Sequence, residues 1–295
     1  MNKLNMAKYH IVTDSGARFS NPRLLQQYPV TVLPYKLDFG GNLYREGIDM
    51  DYDEIMRLIK SQSKPPKLDA PTVEEYAKLY AKLSRAYDAI ISIHTSRELT
   101  QSWDNARHAA QQVKDSVEIV VVDSRSICAG QGMLVRVGGQ AALEQLSFEE
   151  AVNKVRNAVD RLYSTYFVES LDFLQQNTIL SESRAILGTM LNIKPIVSME
   201  EGIPIVTEKV RTRSQAIDRL VEFLVEFDSL DDAMIVQNRV HITEQARTLQ
   251  DRLSSEFPGR HFPYTMYGAA LGVLLGGDAT GIVVLESEIE GFDNG

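Results

Sequence analysis

Short β-branched runs in the first half of the chain alternate with helical patterns, and this alternation restricts the fold more than any other feature. A parallel sheet requires it, because each crossover helix returns the chain to start a neighbouring strand. His10-Ile11-Val12-Thr13-Asp14-Ser15 opens the series, and residues 30–39 read as a second extended run. Residues 51–60 place Ile55, Leu58 and Ile59 at helical spacing behind acidic first-turn residues. Thr72 with Glu75 three positions on forms a capping box, and Tyr76, Leu79, Tyr80 and Leu83 mark one apolar helical face leading to a strand at Ala89–His94. A helix from Thr100 to about Lys114 comes next, followed by residues 117–122, apolar enough for a strand buried on both faces. Residues 127–143 read as helix despite four glycines, and Ser147 with Glu150 caps another.

The second half changes character. Residues 193–198 and 203–210 flank Glu201-Gly202 as a hairpin, which implies antiparallel pairing. Helical patterns at 214–227 and 243–257 and strands at 165–168, 233–237 and near Tyr264 and Ile282 complete a mixed layer. The expected fold class is α/β. An N-terminal doubly wound, mostly parallel sheet domain spans residues 1–160, and a smaller C-terminal mixed α/β domain spans residues 161–290.

With 295 residues, 44% of them apolar, the chain has enough hydrophobic surface for two such units. Its 31 basic and 40 acidic residues give a net charge of -9 without a dense Lys/Arg block, which argues against a nucleic-acid partner. Cys128, the single cysteine, rules out an internal disulfide and fits a reducing compartment. The first ten residues, with Lys3, Asn5 and Lys8, lack the apolar core of a signal peptide, and the longest apolar stretches fall short of the roughly 18 residues a membrane span needs. The expectation is a cytoplasmic protein with no integral membrane segment.

Searches for catalytic patterns fail. Gly130-Gln131-Gly132 lacks the third glycine of a dinucleotide fingerprint, Val135 standing in its place, and Gly276-Gly277-Asp278 reads as a turn more readily than as a phosphate nest. The five histidines are scattered with no metal-ligand spacing. His94 ends a strand, where a hydrogen-bonded histidine is expected before a catalytic base, and Cys128 is read as buried before reactive. No Gly-x-Ser-x-Gly elbow is present to anchor a nucleophile.

Several segments in fixed order carry more specific information: Ile11-Val12-Thr13-Asp14-Ser15, Tyr44-Arg45-Glu46-Gly47-Ile48-Asp49, Ile91-Ser92-Ile93, Val121-Val122-Asp123-Ser124, Leu191-Asn192-Ile193-Lys194-Pro195-Ile196 and Lys209-Val210-Arg211-Thr212-Arg213. Together they resemble the DegV family of bacterial fatty-acid-binding proteins over essentially the whole chain. The resemblance implies a two-domain α/β protein whose C-terminal domain helps enclose one fatty acid, the tail in a buried tunnel and the carboxylate at the interdomain face. It also implies a carrier rather than an enzyme, with no cofactor, which presents the bound acid to a fatty acid kinase and so serves phospholipid metabolism.

The family's head-group motif falls on Thr100-Gln101-Ser102, so the resemblance assigns lipid head-group binding to Thr100 and Ser102, with Gln101 adding bulk where the family has glycine. The family arginine falls on Arg211, whose planar fork suits a carboxylate. Three positions depart from the family pattern. Leu68-Asp69-Ala70-Pro71 replaces a hydroxyl-bearing turn and brings in the anionic Asp69; Leu274 stands where the family has a histidine; and Asn177-Thr178-Ile179-Leu180-Ser181 replaces a Gly-Gly-Arg loop. An Asp69–Arg211 ion pair would leave a less polar mouth, suited to a divergent member that binds another amphiphile. The alternative from a different class is an enzyme using the interdomain cleft, with His94, Asp69 and Arg211 as its polar groups.

Overall fold

A computed structural model describes residues 8–21, 23–176 and 193–288. The first half forms a four-stranded parallel sheet in the order β2-β1-β6-β7, from Val30–Leu33, Tyr9–Asp14, Ala89–His94 and Glu118–Asp123. Its two central strands are buried at every position, as continuous apolar runs in a doubly wound sheet must be. Helices α3 (Val73–Leu83) and α4 (Ser102–Gln112) cover one face through Tyr76, Tyr80, Ala106 and Ala109 packed on Val12 and Ile90. The other face carries α5 (Ala129–Leu143) and α6 (Phe148–Val159), where Leu134 and Val155 meet Ile11 and Ile93.

The second half builds a six-stranded mixed sheet in the order β10-β9-β8-β13-β11-β12. These strands are Ile203–Val210, Lys194–Glu200, Leu162–Val168, Ala279–Glu286, Leu230–Gln237 and Tyr264–Met266. All neighbours pair antiparallel except β11 with β12. Helices α8 (Arg213–Val225) and α9 (Glu244–Glu256) cover its outer face around Leu220, Leu249 and Ile282. The expected α/β class, parallel in the first half and mixed in the second, describes this architecture.

Helix α5 packs against both sheets. A helix in that position is apolar all round, and ten of its fifteen residues are buried. Its glycines have a structural reason: a Cβ at Gly132 would stand 2.0 Å from the Arg18 carbonyl oxygen, and one at Gly139 would meet the Tyr28 ring at 2.6 Å. The largest apolar cluster therefore runs through both halves, from Ile11 through Leu134 to Tyr166 and Val283.

Two sequence expectations need correction. Residues 30–39 are two strands, not one: Pro34-Tyr35 breaks the run, and β3 (Lys36–Phe39) leaves for a separate antiparallel sheet with β4 (Asn42–Arg45) and β5 (Lys67–Asp69). Gly40 and Gly41, both at positive φ, form the β3–β4 turn. Residues 117–122 do not form a strand buried on both faces, because β7 lies at the sheet edge and most of it is half-buried. The capping boxes at Thr72–Glu75 and Ser147–Glu150 form as expected. The Glu201-Gly202 turn does too, with both residues at positive φ.

The extra sheet and α2 (Tyr52–Ser61) reach across to α10 (Ala269–Leu275), where Gly272 admits Met56 so closely that a Cβ would lie 2.5 Å from its methyl carbon. Short helices α1 (Leu24–Gln27) and α7 (Asp172–Gln176) complete the described elements.

The Gly132→Ala protein is expected to lose about 1–3 kcal/mol, since the overlapping atom is backbone and α5 must shift. Urea unfolding should show a lower midpoint with an unchanged slope; an unchanged midpoint would show that α5 has room to spare.

Candidate functional site

The carboxyl ends of the parallel strands converge on Asp14, the last residue of β1 and completely buried. Its carboxylate accepts hydrogen bonds from Ser102 Oγ at 2.7 Å, Thr95 Oγ1 at 2.9 Å, Gln131 Nε2 at 3.0 Å and the Gly16 amide at 3.0 Å, and lies 3.0 Å from His94 Nδ1. Burial alone would raise the pKa of this carboxyl, but the bonds from His94, Gln131 and Ser102 outweigh it and hold it below its usual value. One anion thus ties together β1, the loop after β6, α4 and α5.

On its other ring nitrogen, His94 meets Ser92 Oγ at 2.7 Å, so Ser92, His94 and Asp14 form a serine–histidine–carboxylate line. All three are fully buried, and the Ser92 hydroxyl is shared with Tyr80 at 2.7 Å. No substrate carbonyl can approach this hydroxyl, so the line is a structural relay and His94 is the hydrogen-bonded strand-end residue expected.

In front of this network lies a cleft of about 1360 Å3. Asp69, Thr100, Gln101 and Leu274, drawn from three distant segments, all line it. Leu43, Leu99, Ile127, Ile203 and Val273 make apolar walls, and Lys36, Lys67, Glu74 and Glu98 bring charge. The β9–β10 hairpin closes one side, because Ser96 Oγ donates to the Gly202 carbonyl at 2.9 Å. Thr100 Oγ1 sits 2.9 Å from the hydroxyl of Tyr35 and accepts from the Ser102 amide at 3.3 Å. Tyr35 is fully buried, and no motif or spacing in the sequence marks its part.

Two expected head-group residues stand elsewhere. Ser102 does not line the cleft: it is fully buried behind the wall, its hydroxyl engaged by Asp14 and by Tyr76 at 2.6 Å. Arg211 is exposed at the end of β10 and lines a different depression with Lys209, Gln215 and Asp218. The Asp69–Arg211 pair is not formed either; among the described residues Asp69 pairs with Lys67 Nζ at 2.8 Å. His94, Asp69 and Arg211 consequently share no surface, which removes the geometry from the enzyme reading. The Asn177–Ser181 loop lies outside the described residues. Gly276-Gly277-Asp278 is a turn in which Asp278 pairs with Lys60.

Cys128 is fully buried and burial pushes its thiol up to about 12, which fits the packing role. Among the described residues no cluster of histidine, cysteine or carboxylate groups could hold a metal ion, and no helix is long and apolar enough to cross a membrane.

Residues 8–287 match the sequence profile of a family described as "Uncharacterised protein, DegV family". Protein DegV of Bacillus subtilis is 30% identical over 277 residues, covering 92% of this chain and 97% of that protein. Among solved structures, a fatty acid binding DegV family protein from Streptococcus agalactiae superposes with a TM-score of 0.86 at 25% identity, covering 96% of this chain and all of that one. The Streptococcus pneumoniae Fatty Acid Kinase B3 protein loaded with linoleic acid has a TM-score of 0.81 over 95% of this chain and, at 18% identity, shares the fold.

A folded-state pKa held below the ordinary value means that Asp14 stabilises the fold fully above about pH 4 and loses that contribution as pH falls toward its folded-state value. The stability gap between wild type and Asp14→Asn should therefore be widest at neutral pH and shrink on acidification, as followed by urea unfolding at both ends. A gap that stays constant would show that the carboxylate charge does not matter. Cys128 should resist a thiol-labelling reagent in the native protein at pH 7.5 and react once urea unfolds it; rapid native labelling would contradict its burial.

Proposed function

The chain belongs to the DegV family, and from that premise we propose that it binds one long-chain fatty acid in the Thr100 cleft. In this reading it is a cytoplasmic carrier that presents the acid's carboxylate to a fatty acid kinase and does no chemistry itself. The observation that carries the reading is the cleft: it unites Asp69, Thr100, Gln101 and Leu274, the positions that the family resemblance marks, beside apolar walls from both halves of the chain. Its volume exceeds the roughly 300–1,000 Å3 of most small-ligand pockets, and each methylene buried there contributes about 0.8 kcal/mol. The B. subtilis and S. agalactiae relatives support a fatty acid as the ligand, and the name of the S. pneumoniae protein supports a kinase as the partner.

The head group falls to Thr100. Burial raises the Tyr35 phenol well above its ordinary pKa, so its hydroxyl stays protonated 2.9 Å from Thr100 Oγ1, and either hydroxyl can be the donor. In this reading Tyr35 is the donor of that pair, and with the Ser102 amide donating to the same oxygen, the hydrogen of the Thr100 hydroxyl is left for a ligand oxygen. Ser102 belongs to the proposal as the residue that positions Thr100, linking it to Asp14 from behind. Asp69 is offset by Lys67, which reduces its repulsion of an anionic head.

A second reading, that the ligand is a different amphiphile, draws on Leu274 and on Glu74 and Glu98 at the lining: an apolar group replaces a donor and two acids face the cleft. Native mass spectrometry of protein purified without added lipid, followed by solvent extraction, separates the two. A stoichiometric fatty acid is expected. A co-purified neutral lipid would favour the second reading, and a protein that is empty and refuses added fatty acid would sink both. Thr100→Val should lower fatty acid affinity about tenfold, the loss of one hydrogen bond to a charged group. Arg211→Ala should keep full occupancy, since Arg211 lines a separate depression; reduced occupancy would extend the head-group site to the end of β10.

A further inference from the structure

A second cleft, about 720 Å3, opens between the loop after β1 and the segment leading into β12. It shares no lining residue with the Thr100 cleft. Tyr35 partitions the two: its amide donates to Ser15 Oγ on one side at 2.9 Å, its hydroxyl meets Thr100 on the other, and the residue is fully buried.

The second cleft contains a cation, Arg18, that forms no salt bridge among the described residues. Arg18 Nε donates to the Met266 carbonyl at 2.8 Å, and its guanidinium carbon lies 3.5 Å from the centre of the Tyr52 ring. Among the described residues no carboxylate comes within ion-pair distance of it. The acid in the lining, Glu46, feels the Arg18 charge from beyond that distance, but it is buried and its oxygens are committed: Ser15 Oγ donates to one at 2.5 Å and the Ala269 amide to the other at 2.6 Å. Arg18 is thus pinned at Nε and held over the Tyr52 ring, which restricts its remaining donors without pairing them with a carboxylate in a salt bridge.

The walls are apolar, and two of them are exposed in a way most large aliphatic side chains here are not. Ile48, in the loop before α2, is 60% exposed, and Val240, after β11, is 55% exposed. Both line this cleft with Phe19 and Tyr264. A guanidinium held at the floor, with exposed apolar and aromatic surface around it, is the chemistry that recognises an organic anion with a hydrophobic body.

We propose that this cleft is a second ligand site, for a small carboxylic acid carrying a ring-sized apolar group. Its carboxylate pairs with Arg18 and its apolar body covers Ile48 and Val240. Because Tyr35 closes the partition, this ligand and an acyl chain in the Thr100 cleft bind at the same time.

Isothermal titration with 4-phenylbutyrate, and with the uncharged 4-phenylbutan-1-ol of the same shape, tests this. The acid is expected to bind saturably, one per chain, and more tightly than the alcohol. Arg18→Gln should weaken the acid about tenfold, to the level of the alcohol, as loss of a charge-assisted pair does. Ile48→Trp, at an exposed position that leaves the fold intact, should weaken both compounds by filling the mouth, and it decides the matter if the Arg18 variant fails to fold. Preloading with equimolar oleate should leave the affinity for the acid unchanged. The proposal is overturned if the acid does not bind saturably, if neither variant alters its binding, or if oleate displaces it. Oleate that fails to bind at all would count against the fatty acid reading and leave this one standing.

Discussion

The carboxylate of Asp14 is the fixed point on which the functional end of the molecule depends. A buried anion is costly unless donors surround it, and here the donors come from four separate elements: its own turn, the loop after β6, the start of α4 and the first turn of α5. Meeting that one requirement fixes where each element ends. The position of Thr100 follows, because Ser102 is held by Asp14 while its amide is held by Thr100.

Helix α5 extends this order from one half of the chain to the other. It presents Gln131 to Asp14 and, through glycines, lets both sheets approach its backbone, so the apolar core is continuous across the two halves. The consequence for function is that neither cleft lies on a joint free to open by simple separation of two independent cores. The Thr100 cleft takes Leu274 and Ile203 from the second half, and the Arg18 cleft takes Val240 and Met266. The Ser96–Gly202 bond and the Arg18–Met266 bond act as cross-ties at the two openings.

Sequence signals carry through to the structure where the physics is local. Capping boxes at Thr72 and Ser147 satisfy amides three residues away, and the Glu201-Gly202 turn needs only positive φ at adjacent residues. The third sheet has a local signal of the same kind, since Gly40-Gly41 forms the turn between residues 36–39 and 42–45. At Pro34-Tyr35 the chain changes sheets, and no local pattern specifies which sheet the residues after it join. The apolar composition of β7 suits a strand buried on both faces, yet edge position is set by which strands exist beyond it.

The sequence by itself determined the α/β class, the parallel-then-mixed order, the family and the set of segments from which a site could be built. Each of those rests on periodicity, turn chemistry or residue order, which are properties of neighbouring residues. Only the tertiary structure decided which members of the expected head-group set face a cavity. Thr100, Gln101, Asp69 and Leu274 do, whereas Ser102 turns inward to a carboxylate 88 residues away and Arg211 faces another surface. The same holds for Tyr35 joining Thr100 and for Arg18 forming no salt bridge among the described residues. A hydroxyl's or guanidinium's partner depends on long-range packing, and no spacing along the chain encodes it.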